Sequence, residues 1–166
     1  MNPRLAHLDF ETKIMESPHA HKDELRLWLR LLTCTNLIES GIRKRLAERF
    51  DTTLPRFDLL AQLDRAPQGM TLGDLSRRMM VTGGNVTGIT DLLEKEGLVA
   101  RVADAADRRA LRVKLTAAGR QQFGRMAREH EQWVIGLFAE MPLRKKEQLA
   151  ALLSELKQNV ARATAA

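Results

Sequence analysis

Residues 71–97 read TLGDLSRRMMVTGGNVTGITDLLEKEG, and two helix signatures lie within them. Thr71-Leu72-Gly73-Asp74 resembles a capping box with Asp in the place of Glu, which starts a helix of about two turns, Leu72 to Met79. Thr82 is the next N-cap, and Val86, Ile89 and Leu93 follow at i, i+3 and i+7, so the spacing predicts a second helix from Gly83 to Glu96 that buries this stripe. Gly97 ends it in the usual C-terminal glycine position. Two helices joined by a tight turn, the second with its polar face free, form the helix-turn-helix pattern.

Downstream the period changes. Leu98 to Val102 and Ala110 to Leu115 are short and rich in β-branched and apolar residues, and Leu111, Val113 and Leu115 alternate with Arg112 and Lys114. They predict a hairpin with a polar tip at residues 103–108, which makes a wing directly behind the second helix. Thr116 then caps a long helix whose stripe (Phe123, Met126, Ala127, His130, Trp133, Val134, Leu137, Phe138) holds to Met141-Pro142, and a last helix carries Leu149, Leu152, Leu153, Leu156 and Val160.

Upstream, Ala66-Pro67-Gln68-Gly69 is a turn, preceded by a short helix to about Arg65 that Thr53 can cap and Pro55 enters in its first turn. Lys22 to Phe50 shows two overlapping apolar stripes, the mark of one long helix buried on more than one side. The expected fold class is mainly α with a small β-hairpin wing. A flexible N-terminal arm spans 1–21, a helical dimerisation region 22–52 and 116–166, and a winged helix-turn-helix 53–115. The first helix and the last two carry more apolar stripe than one core can cover, which points to a homodimer.

Composition agrees. The 166 residues are 44% hydrophobic and only 4% aromatic, with no Tyr, a balance that suits helices built on Leu, Ala, Val and Met. The net charge of +6 suits a polyanionic partner, but it is not focused on the reading head: residues 67–120 hold nine basic and six acidic side chains, and residues 25–66 eight and five. Asp9, Arg4 and Pro3 interrupt any apolar export signal, and no apolar run approaches a membrane span. The single cysteine, Cys34, excludes an intrachain disulfide. The expected location is the cytoplasm, away from any membrane.

No enzyme is expected. The four serines and four histidines form no nucleophile motif, Gly83-Gly84 lacks the Gly-Lys-Thr ending of a phosphate loop, and His7, His19 and His21 have no carboxylate or Cys at metal-ligand spacing. Neither a cofactor nor a metal is implied.

The expected partner is double-stranded DNA. On a helix starting at Gly83, the residues Asn85, Thr87, Gly88 and Asp91 fall on faces left free by the buried stripe. Asn85 can bond an adenine at two points, the Thr87 methyl can touch a thymine methyl, and Thr82 with the first unbonded N–H groups suits a phosphate. Gly83, Gly84 and Gly88 each cost about 1 kcal/mol relative to Ala within a helix, which close approach of the backbone to a phosphate or groove wall would explain. Arg108 or Arg109 at the wing tip can enter a minor groove, Arg109 being preferred, while Asp104 and Asp107 offer both arginines ordinary surface pairs. Arg77, Arg78, Arg112 and Lys114 are candidate phosphate contacts. The competing reading of all these positions is a solvated surface, which the adjoining wing disfavours.

The run from Leu54 to Gly119 resembles the MarR family of bacterial transcription regulators. The likeness rests on Thr71-Leu72-Gly73-Asp74-Leu75, Val86-Thr87, Leu93-Glu94-Lys95-Glu96-Gly97-Leu98-Val99, Asp107-Arg108-Arg109 and Leu115-Thr116-Ala117-Ala118-Gly119, in that order and spacing. It implies an obligate homodimer built from the first and last helices, a small-molecule effector pocket, usually repression, and one wing arginine on DNA oriented by Asp107. Gly84 and Gly88 depart from the larger polar or basic residues common in the family, so its base-reading pattern is not carried over.

The resemblance also puts a pocket where the first, second and fifth helices meet, which brings in Trp28, Thr35, Asn36, Phe57, Leu60 and Met126, most of them core residues on the plainer reading. Arg56, with Arg43, Lys44 and Arg45, could meet an anionic ligand. The Gly-Gly-Asn-Val-Thr-Gly stretch is similar to regulators of aromatic acid or aromatic acyl-thioester catabolism. Some family members sense peroxides through a first-helix cysteine helped by tyrosines, which this chain lacks beside Cys34. The expected function is thus a repressor on a pseudo-palindromic operator, released by a small anionic effector such as an aromatic acid or aromatic acyl-CoA. The alternative is an architectural protein that coats DNA without sequence choice.

Overall fold

The structure, a computed structural model, describes residues 23–104 and 111–165. Its elements in order are α1 (Asp23–Phe50), α2 (Leu54–Asp64), α3 (Leu72–Met79), α4 (Gly83–Lys95), β1 (Val99–Ala103), β2 (Leu111–Leu115), α5 (Ala117–Leu137) and α6 (Leu143–Thr164). The chain divides into two compact units at Met126, so the boundary lies inside α5 and α1 groups with the reading head.

Local chemistry sets the ends of these elements. Thr53 and Thr82 occupy the N-cap positions of α2 and α4 with extended backbone, yet neither makes a side-chain capping bond. Thr71 does cap α3, its Oγ1 accepting from the Asp74 N–H at 3.1 Å. The expected capping box is altered, because the Asp74 carboxylate accepts from the Thr71 hydroxyl instead (2.8 Å). At the other end of α4, Gly97 takes φ +72°, while its N–H donates to the Glu94 carbonyl and that of Leu98 to the Leu93 carbonyl, both at 2.9 Å. This is a Schellman closure, with Leu93 and Leu98 both buried beneath it.

The core of the first unit collects Leu46, Leu59, Leu60, Leu63, Leu75, Val86, Leu93, Val99, Val113 and Met126, all nearly inaccessible. Each such side chain contributes about 1.5–3 kcal/mol by leaving water. β1 and β2 pair antiparallel from Val99 opposite Leu115 to Ala103 opposite Leu111. The first strand begins one residue later than expected, because Leu98 belongs to the helix closure. Val113 and Leu115 face inward as the alternation predicts, but Leu111 is exposed, at the end of the ladder away from the core.

Met70 adds a one-residue bridge to β2 by exchanging backbone bonds with Val113 (3.0 and 2.8 Å). Gly69 beside it has φ +78°, and a Cβ there would stand 2.6 Å from the Val113 carbonyl oxygen, so only glycine fits. Thr116 then starts α5: its Oγ1 accepts from the Gly119 N–H (3.0 Å) and donates to the Gly97 carbonyl (2.7 Å).

In the second unit Trp133 is buried, and His130 stands edge-on to it with ring centroids 6.5 Å apart; burial pushes the His130 pKa below its ordinary value. No residue of α6 is buried. A groove of about 450 Å³ runs between the end of α5 and α6, lined by residues that include Phe138, Leu149 and Leu153 with Lys146 at its side.

Candidate nucleic-acid interface

α4 has two faces of opposite character. Val86, Ile89, Thr90 and Leu93 are buried, whereas Thr82, Gly83, Gly84, Asn85, Thr87 and Gly88 are all exposed. Thr90 was not legible as a core residue; it enters the core because its hydroxyl donates to the Val86 carbonyl one turn back (2.8 Å). Thr87 makes the same kind of bond to Gly83 (3.0 Å), which satisfies its hydroxyl and leaves a methyl to meet another apolar group.

The three glycines of this face are not packing residues, since a Cβ at Gly83, Gly84 or Gly88 would meet no atom within 4 Å. Packing of Gly88 against the preceding helix is therefore set aside as its explanation. Gly88→Ala should stabilise the free protein by up to about 1 kcal/mol through helix propensity. If the bare backbone lies against DNA, operator affinity should fall at the same time. Melting temperature and affinity measured at one fixed salt concentration check this, and a more stable variant with parental affinity would count against close approach.

Two arginines hold this face in place, and a third braces the wing. Arg101 on β1 reaches back to α4, its guanidinium pairing with Asp91 and Glu94 and its N–H donating to the Glu94 carboxylate at 3.1 Å. Those carboxylates, against the opposing cost of burial, raise its pKa further. Asp91, expected on a free face, is thus engaged with the wing strand. Arg56 on α2 pairs with Glu96 at the C-cap of α4, and Arg112 on β2 pairs with Asp104 and donates to the Gly69 carbonyl (3.1 Å). Arg112, a candidate phosphate contact, thus also serves as a strut of the wing.

Arg77 remains at the surface although it pairs with Asp74, whose carboxyl is held below its ordinary pKa by the Thr71 hydroxyl and by Arg77 itself. Arg78 is exposed, and the Lys114 stem lies beside Gly69. Asp107, Arg108 and Arg109, together with the arm at 1–21, lie outside the described residues.

The residues considered for an effector separate into two groups. Phe57, Leu60 and Met126 are buried in the core, Phe57 with its ring 5.5 Å from that of Phe123, while Trp28, Thr35 and Asn36 are exposed on α1. Arg56 is mostly buried and engaged with Glu96. Cys34 is exposed. Among the described residues no helix is long and apolar enough to cross a membrane.

A helix-turn-helix followed by a two-stranded wing and flanked by long helices defines the winged helix-turn-helix class. The sequence profile of the MarR family matches residues 50–110. The chain is 39% identical over 98 residues to the transcriptional activatory protein BadR of Rhodopseudomonas palustris, covering 57% of this chain and 55% of that protein. It is 28% identical over 110 residues to the homoprotocatechuate degradative operon repressor of Escherichia coli, covering 66% and 74%. Among solved structures, a MarR family transcriptional regulator from Silicibacter pomeroyi superposes with a TM-score of 0.72 at 28% identity, over 87% of this chain and 99% of that one. The chain is thus similar to MarR family regulators, in sequence over residues 50–110 and in fold over most of its length. It spans about half the length of BadR, and these relatives are transcriptional regulators, not enzymes.

Proposed function

We propose that this chain is a sequence-specific transcription regulator that binds a pseudo-palindromic operator as a homodimer in the cytoplasm. The observation that carries the reading is the exposed face of α4, with Thr82, Asn85 and Thr87 all uncovered beside bare glycine backbone, braced from behind by Arg56 and Arg101. A reading helix must be stiffly mounted for its contacts to distinguish one base pair from another, and this one is tied at its C-terminal half to both α2 and the wing. Asn85 reads a base, Thr82 and the first N–H groups of α4 hold a phosphate, Arg77 and Lys114 support the backbone, and Arg109 enters the minor groove.

We further propose repression relieved by a small anionic effector of the aromatic acid or aromatic acyl-CoA class. The relative whose name ties it to homoprotocatechuate degradation supports an aromatic acid, and basic Arg43, Lys44 and Arg45 on α1 suit an anion. The relatives include both an activatory protein and a repressor, so the sign of regulation is read from a reporter driven by the bound promoter, with and without the gene.

The test is a footprint on DNA flanking the gene, followed by two variants. Asn85→Ala should cost about 1–3 kcal/mol on the operator and relax preference at one position of each half-site, with non-specific binding hardly changed. Arg109→Ala should instead weaken binding most where the flanks are A·T-rich. Equal losses on operator and random DNA for both variants, or protection without a palindrome, would favour the architectural alternative.

A further inference from the structure

Met80 stands apart from every other large apolar residue in the described chain. It is 93% exposed, well beyond any other residue of its kind, and its backbone is left-handed at φ 53°, where a side chain is disfavoured and glycine is the usual occupant. The turn around it is held tightly. The Met80 N–H donates to the Arg77 carbonyl (3.4 Å), the Val81 N–H donates to the Ser76 carbonyl (3.2 Å), and the Ser76 hydroxyl donates to the Val81 carbonyl (2.6 Å). The chain therefore imposes a glycine conformation on a methionine and directs nothing of its own to cover the side chain. Strain of this sort persists where the residue has work to do.

Met80 lies two residues before the N-cap of α4, next along the chain to exposed Thr82, Gly83, Gly84 and Asn85. We infer that Met80 is a specificity-determining residue whose thioether side chain packs on a thymine methyl at the edge of the major groove next to the α4 contact. This rests on the reading of α4 as the DNA-reading helix. The groove offers apolar groups only as thymine methyls and sugar carbons, and a long, unbranched, polarisable side chain can reach and adapt to either. The bare backbone of Gly83 and Gly84 lets the turn approach closely enough for the four heavy atoms of the methionine side chain to reach.

The experiment uses the full-length protein and an operator first defined by footprinting the parent. Met80→Ala and Met80→Gly are measured on that operator, on random DNA, and on operators with single thymines replaced by uracil. Met80→Ala should lose about tenfold in operator affinity, in line with burial of one large apolar side chain, and little on random DNA. The uracil scan should find one thymine per half-site whose methyl removal costs the parent a similar factor and costs Met80→Ala nothing further. Met80→Gly should bind as weakly as Met80→Ala while melting at a higher temperature than the parent, because it relieves the left-handed strain. A folding defect would move both readouts downward together.

Equal loss on all sequences with no thymine coupled to Met80 would place the side chain on sugar carbons and overturn the specificity role. Parental affinity in both variants would overturn the contact itself, while Asn85→Ala would still report on α4. If the parent protects no DNA at all, the reading of α4 fails first, and the failure is visible before any variant is made.

Discussion

Gly119→Ala is expected to lower the stability of the protein by about 2–3 kcal/mol, or to prevent its accumulation as a folded chain, since overpacking against backbone has no soft partner to yield. Gly119 is buried in the first turn of α5, and a Cβ there would overlap the carbonyl oxygen of Leu98 and stand 2.9 Å from its carbonyl carbon. That carbonyl cannot withdraw. It accepts from the Thr116 N–H at 3.1 Å and from the Thr116 hydroxyl at 3.2 Å, and Leu98 itself closes α4 through its own N–H. One methyl group would separate the start of α5 from the end of α4 and disturb the strand that follows. Thermal and urea unfolding measure the effect, with Gly73→Ala as the matched control, because a Cβ at Gly73 meets only the Thr71 hydroxyl at 3.9 Å. Melting of the two variants within a degree of each other would show that the close approach carries no weight.

The second large effect concerns α6. A helix of 22 residues that carries Leu149, Leu152, Leu153, Leu156 and Val160 and fully buries none of them leaves much of its apolar stripe uncovered by its own subunit. In the proposed homodimer that stripe is covered by the second copy. Leu152→Glu combined with Leu156→Glu should raise the dimer dissociation constant by more than about a hundredfold, because each copy loses two apolar side chains worth about 1.5–3 kcal/mol apiece. Operator affinity should fall with it, since a monomer engages one half-site. The parent should melt at a temperature that rises with concentration, and the variant at one that does not. Sedimentation at micromolar concentration reads the first effect and gel shift the second. A variant that remains dimeric and keeps its affinity would show that α6 is not the interface.

What the residues revealed in advance was mostly local. The caps Thr71 and Thr116, the glycine at 97 and the alternation through Val113 and Leu115 act within a few positions, so the order of elements and most of their ends followed from them. Features that join distant parts of the chain were not legible. Arg56 and Arg112 each look like an ordinary surface cation, and only the packing of α2 and the wing shows that their partners are Glu96, Asp104 and the Gly69 carbonyl, 40 residues or so away or across the hairpin. Gly119 carried the family likeness without any sign of the collision it avoids. Met80 gave no signal at all, since a methionine in a helical run is ordinarily core and only its backbone angle and exposure mark it out. Leu111 followed the alternation yet lies exposed, because the rule holds only while there is a core beneath the strand.

The arginine struts also bear on how the protein would respond to ionic strength. Each cation that replaces a condensed counterion on DNA steepens the fall of log K with log salt by about 0.9. Between residues 67 and 120 the chain has nine basic side chains, but Arg101 and Arg112 face carboxylates of their own fold, and on the proposed reading they would displace no counterions from DNA. Their charge acts inward, as mechanical bracing. On that reading the salt slope would count fewer cations than the sequence contains, and the ionic strength that releases DNA need not loosen the reading head, whose partly buried pairs are screened less than exposed phosphate contacts would be.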